Sequence, residues 1–248
     1  MSDQFKNITF DNIESEHLCC AISDKKHQCG VETKKAWLKD RMAEGHVFRK
    51  LDAKGKVFIE YAPLETAWVP VNGENFLYIY CLWVSGSFKG KGYAKELLEY
   101  CIADAKEKGK SGICVLSSKK KKPFLTEKGF VKKYGFEVVD NIGEYELLAL
   151  SFDGTKPTFS ESAKEMKIKN DKLTIYYGMQ CPYISNCIDQ IKNYCENNHI
   201  PYELIKIDSL EKAKSMPGIF NNWAVFYKGK FETIHILNES HLKKLLGV

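Results

Sequence analysis

Residues 85–101 read SGSFKGKGYAKELLEYC. Glycines stand at 86, 90 and 92 and lysines at 89, 91 and 95, immediately before a helical apolar pattern. The preceding stretch, NFLYIYCLWV, is rich in aromatic and branched residues and predicts a long strand. The following one places Leu97, Leu98, Cys101, Ile102 and Ala105 at helical spacing, which predicts a helix over about 93–108. A basic glycine loop can be a plain solvated turn, but a strand before it and a helix after it suit a more specific use. The first amides of a helix have no intrahelical partner and carry partial positive charge, so they can hold an anion. Glycines let the backbone approach that anion closely and take positive φ. The segment therefore reads as an anion cradle of the size a pyrophosphate needs.

Two familiar phosphate loops do not fit. A P-loop requires G-x-x-x-x-G-K-[ST], and Gly92 is followed by Tyr93. A dinucleotide fingerprint requires G-x-G-x-x-G, and no third glycine follows Gly90-x-Gly92.

Outward from the loop, the first part runs to residue 152. VETKKAWLKDRMAEG predicts a helix, HVFRKLD and GKVFIEYAP two strands around Ala53-Lys54-Gly55, ICVLS a further strand, and FLTEKGFVKKY a short helix stopped by Gly135. FEVVD and YELLALSF close the part as strands. Residues 153–171, with Gly, Pro, Thr and Ser and few apolar side chains, read as a linker or a strap. Residues 172–248 predict a βαβαββα order, beginning with LTIYYG and ending with the helix ESHLKKLLG. The expected class is mixed α/β in two domains, 1–152 and 172–248.

Composition narrows the function. The chain has 248 residues, 44% hydrophobic and 12% aromatic, enough for two cores. A net charge of +5 is mild and does not call for nucleic acid, and Lys119–Lys122 is an isolated basic run without interleaved aromatics. No apolar stretch approaches the ~20 residues of a membrane span, and the N-terminus lacks a signal-peptide pattern. Nine cysteines without a C-x-x-C, and six scattered histidines, suggest reduced thiols in the cytoplasm and no metal site.

At Lys89-Gly90-Lys91-Gly92-Tyr93-Ala94 the chain resembles the GNAT N-acetyltransferase family, whose phosphate motif is [R/Q]-x-x-G-x-[G/A], here with lysine at the first position. LYIYCLWVS is similar to that family's fourth strand, ICVLSS to its fifth, and the helix ending in Gly135-Phe136 to its later helix. The resemblance covers roughly residues 5–152. It implies acetyl-CoA as donor and a primary amine of a small molecule or peptide as acceptor. By position, main-chain groups of Leu82 and Val84 would pair with pantetheine, amides from Lys89 to Ala94 would hold the pyrophosphate, and Ser117 or Ser118 would contact the cofactor arm.

Acetyl transfer also needs proton transfer. The family's usual tyrosine position is Val131 here. Tyr78 and Tyr80 share one strand face by two-residue periodicity and either could substitute. Glu60, between Ile59 and Tyr61, is the candidate base: a carboxylate in an apolar run is costly unless it faces water or substrate.

The second part resembles the thioredoxin superfamily through Cys181-Pro182-Tyr183, placed between strand and helix, with Ile184 where a resolving cysteine would stand. A thiol at a helix start favours thiolate. The two halves together resemble GNAT proteins with a YoaP-like C-terminal domain. Two alternatives stay open at this level: a thiol-dependent redox protein using Cys181, and an acyl-CoA-binding protein without catalysis. A sheet edge could also pair with a second copy.

Overall fold

A computed structural model describes residues 4–18, 21 and 24–247. The elements in chain order are β1 (Phe5–Asn7), α1 (Gln28–Met42), β2 (Val47–Leu51), β3 (Val57–Pro63), β4 (Val71–Asn72), β5 (Phe76–Val84), α2 (Tyr93–Glu107), β6 (Gly112–Ser118), α3 (Lys128–Lys132), β7 (Glu137–Ile142), β8 (Tyr145–Ser151), β9 (Thr158–Phe159), α4 (Glu161–Lys164), β10 (Leu173–Tyr177), α5 (Tyr183–Asn197), β11 (Tyr202–Lys206), α6 (Leu210–Lys214), β12 (Trp223–Tyr227), β13 (Lys230–Thr233) and α7 (Glu239–Leu246). Two compact units result. The first comprises Met1–Ile22, Leu38–Ala67 and Val71–Ser160, the second Ser23–Trp37, Trp68–Pro70 and Glu161–Val248. The division thus differs from a simple cut between residues 152 and 172, because part of α1 clusters with the C-terminal residues.

The first unit is a seven-stranded sheet in the order β1-β2-β3-β5-β6-β8-β7. Only β5 and β6 run parallel, and α2 makes the crossover that a parallel pair requires. Leu97, Leu98, Cys101 and Ala105 of α2 are buried against Ile59, Tyr61, Leu77, Ile79, Ile113 and Val115. These strand residues alternate along their strands, so one sheet face belongs to α2. α3 is shorter than FLTEKGFVKKY suggests: Phe124 sits at φ 64, and the helix starts only after Glu127. Residues 158–159 pair with β4, and the Phe159 amide donates to Asp140 Oδ2 at 2.8 Å.

The second unit holds a four-stranded sheet, β11-β10-β12-β13, with β10 and β11 parallel and the other pairs antiparallel. Leu173, Ile175, Trp223 and Val225 face α5 and α7, while Ala224 and Phe226 face α6 and Met216. The first half of α1 packs on the loop before α5. A Cβ on Gly30 would stand 1.9 Å from the Pro182 carbonyl oxygen, so only glycine fits. Lys34, fully buried, donates from Nζ to the Gln180 carbonyl at 2.8 Å.

Candidate active site

The glycine loop has the expected geometry. β5 ends at Val84, and the Ser85 amide extends the ladder to the Lys56 carbonyl at 3.1 Å. A 3-10 turn, Gly86–Phe88, follows, and Gly92 caps α2 at φ 85. Gly90 also has positive φ, 77°. A Cβ on Gly90 or Gly92 would meet nothing within 4 Å, so these glycines are required for backbone conformation, and the space before them is open. The Lys95 and Glu96 amides donate to the Gly92 carbonyl at 2.9 and 3.1 Å. Among the described residues, the amides of Gly90, Lys91, Gly92, Tyr93 and Ala94 have no hydrogen-bond acceptor. The Lys89 amide departs from the expectation: it closes the turn onto the Gly86 carbonyl at 3.2 Å and is not available to a phosphate. The loop is braced by Phe88, whose ring lies where a Cβ on Gly55 would come within 2.4 Å.

Beside the cradle, β5 loses one neighbour. Its ladder with β6 ends at Ile79 and Val115, although β5 continues to Val84 and β6 to Ser118. β3 keeps pairing on the other side, Leu82 with Ile59 and Val84 with Val57. Leu82 and Val84 therefore keep one ladder partner and present an open edge, where an extended ligand can bond to the main chain. The register shift between Glu60 and Tyr61 opposes Glu60 to Cys81 and Tyr61 to Ile79, which leaves Tyr80 as the extra residue of a bulge.

The three side chains expected to move protons lie together on the sheet face away from α2. Glu60 is fully buried, against the expectation of a residue facing water or substrate. Its Oε1 lies 3.0 Å from His46 Nε2, with side chains 0% and 2% exposed. The His46 ring is 5.2 Å from that of Tyr80, which in turn meets Tyr78 edge-on at 5.1 Å. Tyr78 is sealed in the sheet, and burial pushes its phenol well above its ordinary range. Val131, on α3, is buried in the core shared with α2, so its position serves packing. In the sequence His46 is one of six scattered histidines. The hairpin register held the signal: a turn centred on Lys54 pairs Val47 with Tyr61 and sets His46 diagonal to Glu60.

The two serines are committed elsewhere. Ser118 Oγ donates to the Lys120 carbonyl at 2.6 Å and Ser117 Oγ to the Thr126 carbonyl at 2.8 Å, so neither proton is offered to a cofactor. In the second unit, Cys181 is half-buried before α5, and the Ile184 amide donates to its carbonyl at 3.2 Å. Cys187 is a poor partner for it: its Sγ donates to the Leu237 carbonyl at 2.8 Å, and burial pushes its thiol up to about 12. Cys19 and Cys20 lie outside the described residues. Among the described residues no group of three or more His, Cys, Asp or Glu is placed to hold a metal ion, and no helix is long and apolar enough to cross a membrane.

Residues 10–136 match the acetyltransferase (GNAT) family and residues 201–244 the YoaP-like family. The chain belongs to the GNAT family and is an acetyltransferase acting on an acceptor substrate. More particularly, it is 43% identical over 243 residues to "Uncharacterized N-acetyltransferase YoaP" of Bacillus subtilis (strain 168), covering 97% of both chains. Among solved structures it is similar to the PaiA N-acetyltransferase of Thermoplasma acidophilum in complex with coenzyme A, at 16% identity and TM-score 0.41 over 61% of this chain and 100% of that one. It is also similar to a GNAT family acetyltransferase of Brucella melitensis in complex with acetyl-CoA, at 14% identity and TM-score 0.39 over 63% and 92%.

Proposed function

We propose that this chain transfers the acetyl group of acetyl-CoA to a primary amine of a small molecule or peptide by direct attack. The observation that carries the reading is one juxtaposition: the free amides of Gly90–Ala94 at the start of α2 stand beside the β5 edge that β6 leaves open after Val115. The amides suit a pyrophosphate, and the edge suits the amide-bearing pantetheine arm.

The proton steps fall to Tyr80. It occupies the bulge, next to where the two strands part. As the amine nitrogen bonds to the thioester carbon and the C–S bond breaks, the Tyr80 hydroxyl gives its proton to the departing sulfur. The resulting phenolate takes the proton released by the new amide nitrogen. An amine that arrives as ammonium first loses one proton to water. The His46–Glu60 pair, buried beside Tyr80, positions its ring and supports the change of charge. Glu60 thus acts behind the reacting atoms and not on them.

For the second unit, the strand order and the single parallel pair support a thioredoxin-like reading. The burial of Cys187 argues against a dithiol pair with Cys181.

Calorimetric titration of the full chain with acetyl-CoA tests the main reading, with Gly92→Ala and Gly92→Glu in parallel. The alanine should weaken binding modestly, because only the left-handed backbone is strained, by roughly 1–2 kcal/mol. The glutamate sets a carboxylate in the cradle and should abolish binding. Release of free thiol with a library of primary amines then reports turnover. Folded wild type that binds no acetyl-CoA would overturn the proposal, and binding without amine-dependent thiol release would leave an acyl-CoA-binding protein.

A further inference from the structure

The second unit carries a cleft that the acetyl transfer site does not use. It has a volume of about 520 Å³ and opens between α5 and α7, within the ~300–1,000 Å³ range of small-molecule sites. Its floor is aliphatic: Ile191, Leu237 and Leu242 line it and are all buried. Its walls are unusual in chemistry. Five of the eleven lining residues carry side-chain amides. Two of these are committed to the protein: Asn198 Nδ2 donates to the Tyr194 carbonyl at 2.8 Å, and Asn238 Oδ1 caps α7 by accepting from the His241 amide at 2.9 Å. The other three, Gln190, Asn193 and Asn197, have no protein partner among the described residues. They recur at three and four residues along α5, so they form one stripe facing the cleft.

The charges present do not favour an ionic ligand. The lining holds one cation and one carboxylate, Lys243 and Glu239, and they bind each other at 2.8 Å. An anion or a cation would compete with that exposed pair and would find no uncompensated charge in the lining. A flat aromatic ligand is also poorly served. Among the described residues, Tyr194 is the only ring in the lining, and the Lys243 ammonium already lies 5.8 Å above it. What remains is a row of groups that each donate and accept, above an aliphatic floor. That arrangement complements a molecule with many hydroxyls on its rim and C–H groups on its face.

We propose that the α5–α7 cleft binds a neutral, hydroxyl-rich small molecule of sugar type, held by the amides of Gln190, Asn193 and Asn197 over Ile191 and Leu242. The site lies wholly within the second unit and is independent of acetyl-CoA.

The test is a titration of the full-length ¹⁵N-labelled protein with maltose, trehalose and N-acetylglucosamine, with glucuronate as the charged control. The side-chain amide signals of Asn193 and Asn197, assigned from their disappearance in Asn193→Ala and Asn197→Ala, should shift saturably with at least one neutral sugar. Each alanine variant should weaken that binding by at least about fivefold, the effect of one lost hydrogen bond. Both positions are exposed, so neither change threatens folding, which circular dichroism verifies. Absence of a saturable shift with all three sugars up to tens of millimolar overturns the proposal. So does equal binding of glucuronate, or full binding retained in the double alanine variant.

Discussion

His46 and Glu60 are joined across the β2–β3 hairpin, Nε2 to Oε1 at 3.0 Å, and their side chains are almost sealed from solvent. Removing one member of a buried pair leaves the other without compensation, at a cost of roughly 3–5 kcal/mol. Urea unfolding of His46→Ala and Glu60→Gln should each show a loss of that order. The double variant should be less damaged than the sum of the two, by about 1 kcal/mol or more. Strict additivity would mean that the contact carries no coupling.

The two tyrosines of β5 should separate cleanly. Tyr80→Phe should lower kcat by about a hundredfold, the usual contribution of a positioned proton donor, with acetyl-CoA affinity unchanged. Tyr78→Phe should leave kcat within about twofold, because Tyr78 is enclosed in the sheet and acts by packing. Steady-state kinetics on any accepted amine decides it. Equal losses from both changes would remove Tyr80 from its assigned role.

The cradle should depend on a residue far from it in sequence. Gly55→Ala places a methyl group about where the Phe88 ring lies, 2.4 Å from Cε2. The ring is the flexible end of a side chain, so the loop shifts and the fold survives. Acetyl-CoA affinity should fall by about tenfold with little change in Tm, and calorimetry reads the difference. In a Phe88→Ala background the same substitution should have almost no further effect. A Gly55→Ala protein with full affinity would show that Phe88 does not brace the loop.

Acid stability should carry a signature of the N-terminal ion network. Hydrogen bonds from Lys50 and then Lys6 hold the Glu16 carboxyl at about 2, against an ordinary 4.5. A carboxyl lowered in the folded state contributes stability that is complete above its unfolded value and is lost as pH falls through about 2. Thermal unfolding of wild type and Glu16→Gln should therefore differ by about 1 kcal/mol near neutrality. The two should converge as the pH drops below about 4.5 toward 2. A constant gap across that window would remove the linkage.

Alkylation should rank the thiols of the second unit. Cys187 is buried with its thiol pushed up to about 12, so iodoacetamide at mildly basic pH should leave it unmodified in the folded protein. The exposed Cys29 and then the half-buried Cys181 should react ahead of it, as peptide mass spectrometry will show. Modification of Cys187 at the rate of Cys181 would mean that the α5–α7 side opens readily.

The glycine loop was legible in the chain because its information is local. Three glycines before an amphipathic helix permit positive φ and the helix start leaves amides unpaired, and Gly86, Gly90 and Gly92 all take positive φ. The strands around it were legible for the same reason, since alternation and turn residues act over a few positions. Other features depended on contacts between distant segments. The Lys89 amide is committed to a turn, and the two serine hydroxyls to backbone carbonyls, details of loop closure that residue type does not encode. Glu60 looked like a carboxylate needing water, and its partner is a histidine fourteen residues earlier that only strand register brings near. Residues 23–37 read as part of the first domain, yet they cluster with the second because Gly30 and Lys34 fit the Gln180–Pro182 loop. Sequence by itself determined most of the elements, the glycine loop and the family. Tertiary structure decided which amides stay free, which acid is paired and where α1 belongs, because burial and register are properties of residues far apart in the chain.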